Sequence, residues 1–260
     1  MSLLCVDIGN AHTVLGLVDD GSGEVGAHWR VATNEHRTAD EWAVLLRGLV
    51  GEAMGDITGI AVCSTVPAVL NSWRDMLARH FDAVPYLVVE PGVRTEVPII
   101  VDNPREVGTD RIINALAAAQ DFGGPAIVVD FGGTATTFDV VDPEGRYVGG
   151  AITPGIEISL EALGRRGAQL RMVELARPRS VLGKNTVEAL QSGMLFGVAS
   201  QVEGMVERLV GALGAEPDRV RVVSTGYLAD LVVAECRCFT DHSPWLTLRG
   251  LNYVFRRNSR

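Results

Sequence analysis

The chain has 260 residues, with 23 Lys and Arg against 32 Asp and Glu, a formal net charge of −9. Apolar residues at 47% and charged residues at 21% exclude disorder as the main state, and this length can bury the core of one large domain or two small ones. The acidic balance argues against a nucleic-acid partner, which calls for a basic face, but leaves phosphate ligands open because backbone N–H groups bind them without net positive charge.

Four cysteines, at 5, 63, 236 and 238, are too few and too scattered for a disulfide scaffold, so a reducing, cytoplasmic compartment is expected. The opening MSLLCVDIGN lacks the basic start and long apolar stretch of a signal peptide. No window approaches the ~20 apolar residues that span a bilayer, so no membrane partner is expected.

In chain order, Leu3 to Asp7 reads as a buried strand, Thr13 to Asp19 as its hairpin partner and Val25 to Thr33 as a third strand. Ala39 to Met54 has helical spacing, with Trp42, Leu45, Leu46, Leu49 and Val50 on one stripe. Ile57 to Ser64 is a strand, Pro67 opens a helix through His80, and Tyr86 to Val89 is a further short strand. The second half starts over. Asp110 to Asp121 is helical, Ala126 to Asp130 a buried strand, Phe131-Gly132-Gly133 a turn, and Thr136 to Asp142 the returning strand. Gly149 to Gly155 reads as a glycine-rich turn. Helices follow over Pro154–Arg165 and Asn185–Leu213, then a strand over Arg219–Ser224 and a short helix after Gly226. Arg256, Arg257 and Arg260 read as a solvated basic tail.

One internal repeat organises the whole. Val6-Asp7-Ile8-Gly9 and Val129-Asp130-Phe131-Gly132 each put an Asp at a strand end before a polar turn and a returning strand that closes on Val-Asp. Duplicated Asp-tipped hairpins imply two related α/β lobes facing a cleft, with a boundary near 103–110 that divides the chain into 1–107 and 108–260.

Several positions have the chemistry of a phosphate site. At Asp7-Ile8-Gly9-Asn10, Gly9 lets backbone approach a ligand and the carboxylate can hold a hydrated Mg²⁺, although the same Asp and Asn also suit local turn bonding. His12 sits in that turn and reads as solvent-facing. The second copy, Asp130 to Thr137, surrounds a carboxylate with two Gly and three Thr. Two roles fit Asp110 in Gly108-Thr109-Asp110-Arg111: the cap of the following helix, or acceptor of a substrate hydroxyl proton. Arg111 can grip a carboxylate or phosphate. Asn185 or Thr186 caps the longest helix or offers its N-terminus to an anion. Cys236, Cys238 and His242 look like half a metal site, but a structural zinc needs four ligands.

Six segments in order carry a resemblance: DIGNAHTVLG at 7–16, PREVGTDRIINALAA at 104–118, VVDFGGTATTFDVV at 128–141, GGAITPGIEISLEAL at 149–163, RPRSVLGKNTVEALQSG at 177–193 and LTLRGL at 246–251. Over nearly its whole length the chain resembles the type III pantothenate kinases. The resemblance implies an α/β fold of two duplicated actin-like, ribonuclease H-like lobes with a central cleft. It implies ATP-dependent phosphorylation of pantothenate to 4′-phosphopantothenate, the first step of coenzyme A synthesis, in a homodimer. The first turn (Asp7, Ile8, Gly9, Asn10, Ala11, His12, Thr13 and Val14) would bind ATP, with Asp7 reaching Mg²⁺ through it. Gly133 and Thr134 would also contact ATP. Asp110 would be the general base, with Gly108, Thr109, Arg111 and Thr186 holding pantothenate, Thr186 across the dimer interface. Asp130 would hold K⁺ or NH₄⁺. The alternative is a weak or inactive homologue with a regulatory role, such as a transcription accessory factor.

The family pattern is also broken in places. Ala11 stands where Thr is usual, Gly133 is an added residue, and Tyr227 stands where Gly is usual. The added Gly133 is expected to make a bulge at Gly132-Gly133 and weaken ATP binding.

Overall fold

The computed structural model describes residues 1–166 and 173–259. It divides into two compact units, one of Met1–Glu96, Asn103–Ala117 and Trp245 onward, the other of Val97–Asp102 and Ala118–Pro244.

In the first unit β1 (Ser2–Ile8), β2 (His12–Asp19) and β3 (Val25–Ala32) form an antiparallel meander. Next come α1 (Ala39–Val50), β4 (Ile57–Ser64), α2 (Pro67–His80) and β5 (Tyr86–Val88). The sheet order is β3-β2-β1-β4-β5, with β4 and β5 parallel to β1. Helix α1 starts at a reciprocal capping box between Thr38 and Glu41, and Pro67 occupies the first turn of α2. The expected helical run to Met54 changes type rather than ending: α1 stops at Val50, where Gly51 at φ +59° leaves the α region, and Gly51–Asp56 continues as a 3₁₀-helix. Both helices bury one stripe on the sheet. Trp42 and Trp73 meet there with ring centroids 5.4 Å apart, tilted by 51°.

The second unit repeats the topology. After α3 (Thr109–Asp121) come β6 (Ala126–Phe131), β7 (Ala135–Val141) and β8 (Tyr147–Pro154), then α4 (Ile156–Arg166), α5 (Thr186–Leu213), β9 (Arg221–Thr225), α6 (Ala229–Val233) and β10 (Asp241–His242). The order is β10-β9-β6-β7-β8, so β6 stands where β1 stands in the first sheet. From Met194 the apolar stripe of α5 packs into its own unit's core with Phe131, Phe138 and Val222.

The chain closes with α7 (Leu246–Asn258), which the sequence reading did not separate from the tail. It packs on β1, β2 and β4, and this is why the division is not a single cut between 107 and 108. Thr247 Oγ1 lies 2.8 Å from Asn114 Oδ1 of α3 in a buried pair, and Arg257 meets Glu96 at 3.0 Å. Arg256 and Arg257 thus form a docked last helical turn rather than a solvated tail; Arg260 lies outside the described residues.

Two further expectations change. Gly149 to Pro154 is not a turn but part of β8, and Gly149 sits at φ +120° where the β7–β8 register slips between Val140 and Val141. A Gly inside a strand marks such a bulge. Conversely, no bulge interrupts β6–β7, whose pairs run unbroken from Ala126↔Val141 to Phe131↔Thr136. The first hairpin closes on Ile8↔Thr13, so four residues separate the last pair in both hairpins, 9–12 and 132–135. The residue read from the sequence as an insertion lies within this loop without lengthening it beyond the first, and Gly133 does not have positive φ.

Candidate active site

In the first unit three elements converge on Asp7. It stands one residue before the end of β1, followed by a turn in which Gly9 N donates to His12 O at 3.0 Å. A Cβ on Gly9 would approach His12 O to 3.1 Å, so the tight turn favours Gly. Thr33 Oγ1 donates to Gly9 O at 2.7 Å and lies 2.9 Å from Thr13 Oγ1, fixing the turn from the end of β3. Asn10 is exposed, Ile8 and Thr13 are buried, and Ala11, His12 and Val14 are partly buried. His12 opens β2 and is partly buried there.

The end of β4 carries residues that the sequence reading passed over. Cys63 Sγ donates to Asp7 Oδ1 at 3.3 Å, Thr65 N donates to Ile8 O at 3.0 Å, and Ser64 O accepts from Thr109 Oγ1 at 3.2 Å. Burial, then the negative charge of Asp7 and Asp110, pushes the Cys63 thiol up, so it remains a protonated donor. The only sequence signal for Cys63 was its place at the end of a buried strand.

Asp110 is not the cap of α3. The helix begins at Thr109, and Ile112 N donates to the preceding Gly108 O at 3.2 Å. Asp110 therefore lies in the first turn. A Cβ on Gly108 would overlap Asp110 Oδ1, so Gly108 is what lets this carboxylate fold back over the helix start. Asp110 Oδ1 is buried without a hydrogen-bond partner among the described residues. Burial raises the Asp110 pKa, and the backbone N–H and positive charge of Arg111 oppose the rise only in part.

The second unit repeats the Asp-tipped turn. Asp130 is one residue before the end of β6. Gly226, at φ +91°, passes so close that a Cβ would lie 2.5 Å from Asp130 Oδ1 and 2.7 Å from Phe131 N. The start of α4 closes on the turn, with Gly155 N donating to Thr134 O at 2.9 Å and Ile158 N to Gly133 O at 3.2 Å. Gly133 is buried beneath Tyr227 and Glu157, whose side chains are joined by a Tyr227 Oη to Glu157 Oε2 bond of 2.6 Å. Glu157 was not singled out from the sequence, although it lies in the resemblance segment 149–163, because nothing in that segment ties it to the glycine turn at 132–133.

Asn185, not Thr186, caps α5, its side chain accepting from Glu188 N at 2.9 Å. Thr186 is an exposed residue of the first turn, in the second unit, whereas Asp7, Gly108, Thr109, Asp110 and Arg111 are in the first. His242 pairs with Asp230 at 3.0 Å and lies 2.8 Å from Ser224 Oγ, and no cluster of three or more metal-ligating side chains occurs among the described residues.

Two units of one topology, each with a carboxylate one residue before the end of its first strand and a tight glycine turn after it, define a duplicated actin-like α/β fold. Solved structures agree on the fold. The activator of the 2-hydroxyisocaproyl-CoA dehydratase from Clostridium difficile, with bound ADPNP, matches at TM-score 0.58 and 15% identity over 100% of this chain and 96% of its own. Component A of the Acidaminococcus fermentans (R)-2-hydroxyglutaryl-CoA dehydratase matches at 0.57 and 15% over 100% of both. The type III pantothenate kinase family model matches residues 3–208. Proteins of that name from Nocardioides sp. (71% identical, 100% of both chains) and Streptomyces griseus (59%, 98% of both) extend the match to nearly the whole length. The chain belongs to the type III pantothenate kinase family.

Proposed function

We propose that this protein transfers the terminal phosphoryl group of ATP to the 4′-hydroxyl of pantothenate, opening coenzyme A synthesis. Family membership supports the reaction. The observation that carries the chemistry is Asp110 Oδ1, a buried carboxylate oxygen with an unfilled hydrogen-bonding capacity. A substrate hydroxyl would satisfy it.

In this reading Asp110 takes the hydroxyl proton as the alkoxide oxygen bonds to phosphorus and the bond to the ADP oxygen breaks. Gly108, Thr109 and Arg111 hold pantothenate, Arg111 by its carboxylate. The turn Asp7 to Val14 binds ATP, Asp7 through Mg²⁺, with Gly133 and Thr134 as further ATP contacts. Mg²⁺ supplies charge neutralisation at the phosphates when bound. Asp7 suits it because a carboxylate at a strand end beside a tight turn is a hard oxygen ligand. Asp130 suits K⁺ or NH₄⁺ for the same reason, since the close pass of Gly226 leaves its carboxylate in a confined position.

We further propose a cytoplasmic homodimer without a nucleic-acid partner, in which Thr186 of the partner subunit reaches pantothenate. The exposed apolar side chains Val181, Leu182 and Val187 flank Thr186 and support that interface. No helix among the described residues is long and apolar enough to cross a membrane.

The test is ADP release with and without pantothenate, in the presence of Mg²⁺ and NH₄⁺. Release that depends on pantothenate, and stops when a chelator removes Mg²⁺, is expected. Folded protein with no pantothenate-dependent release would overturn the proposal.

A further inference from the structure

Cys63 and Asp7 are register partners on the parallel strands β4 and β1. The Cys63 side chain is fully buried and its thiol donates to Asp7 Oδ1 at 3.3 Å. The two residues that follow it on the chain each hold another part of the site. Ser64 O accepts from Thr109 Oγ1 beside Asp110, and Thr65 N donates to Ile8 O at the start of the first turn. Three consecutive residues therefore tie the Asp7 turn and the Asp110 helix to one strand end. A buried strand end is a rigid anchor, and a carboxylate held by a fixed donor loses less freedom when it takes up a ligand.

We infer that Cys63 is a positioning residue for nucleotide binding: its thiol hydrogen bond fixes the Asp7 carboxylate in the orientation that receives ATP with its Mg²⁺. The inference rests on the role proposed above for Asp7. It explains why a polarisable donor follows the buried apolar run Ile60-Ala61-Val62 at the one position paired with Asp7.

The experiment measures equilibrium binding of Mg²⁺-ATP to the full-length protein by calorimetry, alongside steady-state kcat and KM. Cys63→Ala and Cys63→Val remove the donor, the latter without leaving a large cavity, while Cys63→Ser keeps a donor. The first two should weaken Mg²⁺-ATP binding by about three- to tenfold, the effect of one such hydrogen bond, and raise the ATP KM in step. The KM for pantothenate and kcat should not change, and Cys63→Ser should bind close to wild type. Adding Cys63→Val to Asp7→Asn should weaken binding no further, because the bond acts through Asp7.

Wild-type affinity in Cys63→Val, or equal loss in Cys63→Ser and Cys63→Val, would overturn the inference. Should Cys63→Ala fail to fold, the Val and Ser pair decides it. If Asp7→Asn itself binds Mg²⁺-ATP normally, the reading of Asp7 has failed, and the inference with it. If Asp7→Asn binds weakly while Cys63→Val binds normally, the inference alone has failed.

Discussion

Gly133 lies directly beneath the phenol of Tyr227, close enough that a methyl group at Gly133 would overlap both the Tyr227 oxygen and the Glu157 carboxylate hydrogen-bonded to it. These are two of the positions read from the sequence as departures from the family pattern, and the fold brings them into contact. The absence of a side chain at Gly133 leaves the room that the Tyr227 phenol and the Glu157 carboxylate occupy. Gly133→Ala should therefore cost about 1–3 kcal/mol of stability through overpacking and raise the KM for ATP by displacing the second turn. Combining it with Tyr227→Gly should recover much of the loss, with a coupling of about 0.5–3 kcal/mol in urea unfolding. Simple additivity would show that the two positions are independent.

Deleting Gly133 should damage the protein rather than restore it. The β6–β7 ladder is unbroken up to Phe131↔Thr136, and its loop matches the first hairpin residue for residue in length. A deletion must either break the Phe131↔Thr136 pair or pull Thr134 O away from Gly155 N at the start of α4. The expected result is a lower melting temperature and weaker ATP binding. A deletion variant with tighter ATP binding and unchanged melting would contradict this.

Asp110→Asn should keep the fold and ATP binding but reduce kcat by about 10²–10⁴, the usual contribution of a general base. It should also raise stability at neutral pH, because the folded state no longer carries an ionised carboxylate in a buried position. A variant with weakened ATP binding and unchanged turnover would remove Asp110 from the role of base.

The pH dependence follows from the same group. Burial raises the Asp110 pKa above the ordinary Asp range, so folding shifts this carboxyl towards its protonated form. Its cost to stability is absent below the unfolded-state pKa and sets in as pH rises through it, reaching its full size above the folded pKa. A general base accepts a proton only in its ionised form, so with Asp110 in that proposed role kcat/KM should fall on the acid side at a pH above the ordinary Asp range. The stability gain of Asp110→Asn should vanish in acid. A gain that persists unchanged below the ordinary Asp range would separate the effect from ionisation.

Asp130→Asn should weaken activation by K⁺ or NH₄⁺ while leaving Mg²⁺ dependence intact. Titrating each cation separately against ADP release distinguishes the two. Equal loss of response to both would argue against separate roles for Asp7 and Asp130.

The sequence by itself determined the duplication. Two Asp-apolar-Gly turns in matching strand contexts are a local pattern, and strand, turn and returning strand are specified by nearby residues, so both hairpins form where the sequence places them. It determined the family as well, through motifs spread over the whole chain. Local chemistry also placed Asp110 at a helix start, but its exclusion from the cap depended on where the first helical hydrogen bond closes, on Gly108. Tertiary structure alone decided the rest. Helix α7 joins the first unit because its apolar face packs on strands that lie some two hundred residues earlier in the chain. Cys63 meets Asp7 only through the pairing of β4 with β1, and Tyr227 meets Gly133 only because β9 pairs with β6 and brings the following turn to the hairpin. Such contacts depend on strand register between distant segments, and periodicity within one segment carries no record of its partner.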